Sequence, residues 1–239
     1  MQWLEFSDLE RAYPWPTHPW VRAMLVQSLD GAVAGPDGRS GSISSPADRR
    51  VLAEGRRLAD AVLIGAQTMR VERYSPMRAK PEHAEARAAA GLADAPRLVI
   101  VSGSLDLPWD EPVFRESALR PLVITSAAAG GDRRVVAERA AEVLALDVLD
   151  GRTIIDALVN RGLTRIVCEG GPGLLGTLLD ADCVDEMDVT IAPWIIGREP
   201  EPFAPPVPAP VAFTPVSMMV DDGFAFLRYI RDDRTASAP

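Results

Sequence analysis

Val167-Cys168-Glu169-Gly170-Gly171-Pro172-Gly173-Leu174-Leu175-Gly176-Thr177 decides how this chain is read. An apolar strand, Arg165 to Cys168, runs into a carboxylate, then a glycine-rich turn, then a helix opening at Pro172. Proline suits the first helical position, where its missing N–H would have had no intrahelical partner. Gly170, Gly171 and Gly173 leave backbone N–H groups bare against a positive helix end, which is how phosphate is held. Glu169 stands at the lip of that turn. Two readings stay open on the turn alone: a phosphate or pyrophosphate cradle, and a tight helix–sheet corner with no ligand. Gly171-Pro172-Gly173-Leu174-Leu175-Gly176 also satisfies G-x-G-x-x-G, but a Rossmann domain needs its next strand to end in an acid. Here the next strand, Met187 to Ala192, begins beside Asp185, Glu186 and Asp188 and ends at Pro193-Trp194. Too little chain remains for the rest of such a domain.

Composition narrows the classes. The chain has 239 residues, 47% of them apolar, enough for one large α/β domain. A formal charge of -9 argues against a nucleic-acid surface, which needs clustered cations. Cys168 and Cys183 supply neither a disulfide framework nor metal-ligand spacing, and His18 and His83 are too few for a histidine metal site. No metal is expected. No charged-then-apolar leader opens the chain and no apolar run is long enough to span a bilayer. The expectation is a cytoplasmic protein with no membrane partner.

Punctuation along the chain gives the elements. Residues 1–19 read as an irregular N-terminal arm whose aromatics pack on the body, 20–232 as one domain and 233–239 as a flexible tail. Strands are expected over Val21 to Gln27, Ala61 to Ile64, Leu98 to Val101, Leu122 to Thr125 and Ile166 to Cys168. Ser45 caps a helix that starts at Pro46 and runs to about Arg57. Gly65-Ala66-Gln67-Thr68 turns a strand into another short helix, and further helices cover Arg133 to Ala141 and Thr153 to Asn160. Such alternation implies parallel strands with helices on both faces. The end differs: Val211 to Val220 and Phe224 to Arg231 flank Asp221-Asp222-Gly223, a hairpin signal. The proline-rich Glu199 to Pro210 reads as a surface connector. The fold class is therefore α/β, a mixed sheet, mainly parallel, with a C-terminal antiparallel hairpin.

Chemistry-bearing residues gather at strand ends. Ser28-Leu29-Asp30-Gly31 follows the first long strand, Gly65 to Thr68 the second, and Val101-Ser102-Gly103-Ser104 the third. With Glu169 to Gly173 they line one edge of the sheet, where open α/β folds bind ligands. In order and spacing these motifs, with Ile43-Ser44-Ser45-Pro46, Asp60-Ala61, Val184-Asp185-Glu186 and Ile191-Ala192-Pro193 through Gly197, resemble the riboflavin-biosynthesis reductase family. That family is the reductase domain of the bifunctional deaminase–reductase and shares the dihydrofolate reductase fold. The match runs from about Val21 to Gly197, with no deaminase zinc signature, so a stand-alone reductase is expected.

The resemblance implies NADPH as hydride donor, a ribosylamino-pyrimidine phosphate as acceptor, and a homodimer. It carries cofactor contacts onto Thr68, Ser102, Gly170, Gly171, Pro172, Gly173, Leu174 and Leu175, with main-chain contacts near Ala32 and Gly65. Substrate contacts carry over onto Ser40, Arg56 and Glu169, and a phosphate-binding arginine onto Arg78. Glu169 would bind or polarise the substrate, and Asp30 would orient it or relay a proton. The chain departs from the pattern at three places. Met24 stands where the family has a lysine, Ser42 where it has a tryptophan, and Glu72-Arg73-Tyr74 replaces an Asp-Asp-Pro run. These changes keep two alternatives in view: a dihydrofolate (pterin) reductase and a non-catalytic NADP-binding module. Tyr74 followed four residues on by Arg78 mimics a dehydrogenase pair, but Pro76 breaks the helix which that pair requires.

Overall fold

A computed structural model describes residues 1–197, 203–204 and 209–232. Gln2–Trp3 (β1) and the four-residue helix Leu9–Ala12 (α1) precede Trp20–Ser28 (β2). Pro46–Arg57 (α2), Ala61–Gly65 (β3) and Ala66–Glu72 (α3) follow, then Ala84–Ala89 (α4), Arg97–Val101 (β4), Val113–Glu116 (α5) and Leu122–Ser126 (β5). The second half runs Asp132–Ala140 (α6), Glu142–Leu146 (β6), Gly151–Val159 (α7), Arg165–Cys168 (β7), Pro172–Asp180 (α8) and Glu186–Ala192 (β8). Phe213–Asp221 (β9) and Phe224–Arg231 (β10) form the closing hairpin.

All ten strands among the described residues join one sheet in the order β1-β9-β10-β8-β2-β7-β3-β4-β5-β6. Pairing is parallel from β8 through β6, and antiparallel where β10 meets β8 and β9. This is the mixed sheet expected of a dihydrofolate reductase-like chain. The hairpin turns through Asp222 (φ 50°) and Gly223 (φ 79°), two left-handed residues as its twist demands.

Strand alternation sorts the core. Leu63, Val99, Leu122 and Ile124 pack on one face against α7 and α8. Val62, Ile64, Leu98, Ile100 and Val123 pack on the other, against α3 and α6. Both faces are thus covered, and the central strands read as continuous apolar runs for that reason. Helix α2 starts as expected, with the Asp48 N–H donating to Ser45 Oγ at 3.0 Å and proline at its first turn. Gly151 lets α7 approach α8: a Cβ there would stand 2.4 Å from the Thr177 carbonyl oxygen.

The structure corrects two expectations. The arm is not wholly irregular, because β1 adds in parallel to β9, with the Leu4 N–H donating to the Met218 carbonyl at 2.9 Å. Its aromatics also divide: Tyr13 is buried, whereas Trp3 is 62% exposed. Second, β6 forms at the sheet edge. It carries the short apolar run Val143 to Leu146 and pairs in parallel with β5. The connector Glu199 to Pro210 lies largely outside the described residues, as does the tail 233–239.

Candidate active site

Parallel strands end at one edge of the sheet, and there the chain encloses a cavity of about 560 Å³, a volume that suits small ligands. Two strand-to-helix turns form its anion end. Strand β3 passes through Gly65 into α3, and β7 passes through Glu169 to Gly171 into α8. The Gly65 N–H donates to the Gly170 carbonyl at 2.7 Å, which locks the turns side by side. Neither Gly65 nor Gly171, the two N-cap residues, offers a capping side chain, and the first turn of α8 holds no acid. Two helix N-termini therefore reach the cavity with main-chain amides undressed. A Cβ on Gly171 would stand 2.8 Å from Thr68 Oγ1, whereas one on Gly173 would meet nothing within 4 Å. The backbone is thus crowded at Gly171 and open at Gly173, and these residues fit the cofactor that the family resemblance implies.

Of the expected cofactor contacts, Gly65, Thr68, Gly171, Pro172, Gly173 and Leu174 line this cavity. Gly170 and Leu175 support it from behind. Gly170 takes a left-handed turn at φ 77°, presenting its carbonyl to Gly65, and Leu175 is fully buried in the core.

Glu169 lines the cavity beside this cradle, its side chain only 5% exposed. Arg56, on the last turn of α2, donates from Nε to Oε1 and from Nη2 to Oε2, each at 2.5 Å. Such a planar fork fixes both position and orientation of the carboxylate. The Tyr74 hydroxyl donates to Oε2 at 2.8 Å. Burial would lower the Arg56 pKa, but the facing Glu169 outweighs it and holds the guanidinium charged. Burial and then the Glu169 charge hold the Tyr74 hydroxyl well above the ordinary phenol value, so it stays a donor. Arg56 thus reaches the site through Glu169 rather than by lining the cavity itself.

The remaining candidates are placed differently. Ser40 lines the cavity, tethered by its N–H donating to Glu72 Oε1 at 2.8 Å. Asp30 does not face it. Asp30 accepts from Ser28 Oγ at 2.5 Å and from the N–H groups of Gly197 at 2.8 Å and Ile196 at 3.1 Å, tying the end of β2 to the loop after β8. The Ser28 hydroxyl, then those amides, bring its pKa down to about 2. Asp30 thus clamps this loop, apart from the residues that line the cavity. The Ala32 N–H donates to Ser28 Oγ at 2.9 Å behind the same turn. Ser102 is likewise turned inward, its Oγ accepting from the Leu105 N–H at 3.1 Å. Arg78 pairs with Glu116 on the surface, its side chain 63% exposed. The left-handed Arg73 (φ 50°) ends α3, and the chain then leads Arg78 toward α5 instead of the cavity.

Two features escaped the sequence reading. Tyr74 stands out in the sequence as a departure from a family motif and as half of a false dehydrogenase pair, whereas its partner lies 95 positions away. The second is a buried charge cluster on the cavity wall. Glu186 accepts from Trp20 Nε1 (2.6 Å), Arg22 Nε (2.9 Å) and Arg228 Nε (2.6 Å). Burial acts to raise its pKa, but Arg22 and Arg228 prevail and bring it to about 2. Beside it Asp188 lines the cavity, and its pKa is driven well up by burial and by Glu186. Alternation along β8 carried the signal, since Glu186, Asp188 and Thr190 are polar on a strand that is otherwise core.

Two uncapped helix N-termini beside a rigidly held carboxylate, where parallel strands end, form the layout of a ligand-binding site on an open α/β sheet. The chain belongs to the RibD C-terminal domain family, whose model matches residues 19–221. It is 31% identical over 182 residues to the 2,5-diamino-6-ribosylamino-4(3H)-pyrimidinone 5′-phosphate reductase of Methanothermobacter thermautotrophicus, covering 75% of this chain and 80% of that one. It is 27% identical over 185 residues to the chloroplastic riboflavin biosynthesis protein PYRR of Arabidopsis thaliana, but spans only 29% of that protein's length against 77% of its own. Among solved structures, a pyrimidine reductase-like protein of Corynebacterium diphtheriae is 28% identical with a TM-score of 0.81, covering 89% of this chain and 92% of that one.

Proposed function

We propose that this protein is an NADPH-dependent reductase that delivers hydride to the sugar carbon of a ribosylamino-pyrimidine phosphate, a proton from water going to the ring-opened amine nitrogen as ribose becomes ribityl. One observation carries the reading: Glu169, held by Arg56 and Tyr74, lines the same cavity as the undressed N-termini of α3 and α8. The named activity of the Methanothermobacter relative supports it.

In this reading Gly65, Thr68, Gly171, Gly173 and Leu174 hold the cofactor, with its diphosphate on the main-chain amides. NADPH, when bound, supplies the hydride. The chain's own part is positioning. Arg56 keeps the Glu169 carboxylate aimed, while Tyr74 keeps a proton at Oε2. That carboxylate accepts from the substrate's amino or hydroxyl groups and stabilises positive charge developing at the sugar carbon. The apolar wall around Met24, Val26, Leu52 and Phe226 excludes water from the reacting centre.

A homodimer in the cytoplasm belongs to the same reading. The family resemblance supports the dimer, as does an outer sheet edge where β1 pairs only two residues of β9 and Trp3 and Val220 are exposed. Among the described residues no helix is long and apolar enough to cross a membrane.

The test is NADPH oxidation followed at 1:1 stoichiometry with a ribityl product identified by mass spectrometry. The pyrimidine phosphate should turn over and dihydrofolate should not. Turnover of dihydrofolate alone would replace the substrate, and tight NADPH binding without turnover of either compound would replace the enzyme by a sensor.

A further inference from the structure

One wall of the cavity is built by three strands in register. On β8 the residues Glu186, Asp188 and Thr190 share a face by alternation. Opposite them on β2 stand Arg22, Met24 and Val26, and on β10 Ile230, Arg228 and Phe226. Within this grid Glu186 takes the donors. Arg22 and Arg228 each reach it with Nε and Nη2, and Trp20 adds its indole N–H. Asp188 is left over. Arg22 Nε lies 3.3 Å from its Oδ2, close enough for attraction, yet neither carboxyl oxygen receives a hydrogen bond. Its side chain is 3% exposed and it lines the cavity.

The residue registered against Asp188 on β2 is Met24, where the family resemblance places a lysine. The thioether leans on α2, since a Cβ on Gly55 would stand 2.1 Å from Met24 Sδ. No ammonium group is therefore available from that side. A buried carboxyl that accepts no hydrogen bond is unfavourable, and a ligand that brings donors supplies what is missing. Two arginines against two acids leave the cluster neutral when Asp188 is ionised. Burial and Glu186 push its pKa up, while Arg22, Arg228 and an incoming pair of N–H donors act to lower it.

We propose that Asp188 reads the pyrimidine head, its two oxygens accepting the ring N3–H and the adjacent 2-amino group of a 2-amino-4(3H)-pyrimidinone. This deepens the reductase reading and rests on it. A uracil head carries a carbonyl where the amino group stands, so it pairs only with a protonated Asp188 and forgoes the attraction of the Asp188 carboxylate for Arg22. The chain then selects the 2-amino substrate over its 2-oxo counterpart. An asparagine at 188 offers one donor and one acceptor, the complement of a uracil edge.

Calorimetric titration of the full-length protein, without NADPH so that nothing turns over, tests this. The probes are 2,5-diamino-6-ribosylamino-4(3H)-pyrimidinone 5′-phosphate and 5-amino-6-(5-phosphoribosylamino)uracil, with NADPH titrated separately. The wild-type chain should prefer the 2-amino compound by about 100-fold. Asp188→Asn should bring that ratio to about one or below it while the NADPH Kd stays unchanged. Wild-type affinities within about threefold of each other, or equal weakening of both compounds in Asp188→Asn, would overturn the assignment. The wild-type ratio needs no variant, so a poorly folding Asp188→Asn leaves the test standing. Failure of both compounds to bind, with NADPH still bound, would overturn the reductase reading and this assignment together; equal binding overturns this assignment alone.

Discussion

Glu169→Gln lowers kcat/KM for the ribosylamino-pyrimidine phosphate by about 10³-fold and leaves the NADPH Kd within about threefold of wild type. Glutamine keeps the shape of the side chain but removes the charge that Arg56 and Tyr74 are arranged around. Its amide nitrogen also cannot accept from Arg56 or from Tyr74, so one half of the fork must turn away. The cofactor cradle is built from main-chain amides of the next turn, which glutamine does not disturb. Steady-state kinetics together with calorimetric NADPH titration separate the two effects. A purely structural role for Glu169 would instead appear as lost thermal stability and weakened NADPH binding in proportion.

Gly173→Asp moves binding and stability in opposite directions. Position 173 lies in the first turn of α8, where the helix end is positive and no acid is present. A carboxylate there favours the helix by about 0.3–1 kcal/mol, and replacing a helical glycine adds a similar amount. No neighbour obstructs the new side chain, since a Cβ meets nothing within 4 Å. The same charge stands where the cofactor diphosphate is to lie, and NADPH affinity should fall by about 100-fold or more. Thermal melting should show a Tm equal to or above wild type, while NADPH titration shows the loss. Undiminished NADPH affinity would place the diphosphate elsewhere.

The turn after Glu169 was legible because its signals are local. Strand, acid, glycines and proline follow one another from Arg165 to Gly173, and each has a conformational reason to be where it is. The hairpin at Asp222-Gly223 was legible for the same reason. What escaped depends on partners remote in sequence. Tyr74 gains its role only when α3 ends at Arg73 and delivers the hydroxyl to a carboxylate from β7. Asp30 reads as a catalytic acid from its place at the strand end. Only the loop after β8, folding back, shows that Ser28, Ile196 and Gly197 occupy its oxygens. Asp188 was counted among charges at the start of a strand, and its isolation from donors is a property of the three-strand register. Strand β6 escaped although Val143 to Leu146 is an apolar run, because a run that short fits a helix segment as well as a strand.

The central claim is that the cofactor's diphosphate rests on the main-chain amides of two neighbouring turns. Amide NMR of the full-length protein titrated with NADPH tests it most directly. The largest shift changes are predicted at Gly65 to Thr68 and at Gly171, Gly173 and Leu174, saturating at one NADPH per chain. Shifts centred on any other part of the sheet, or a spectrum unchanged by NADPH, would contradict the account.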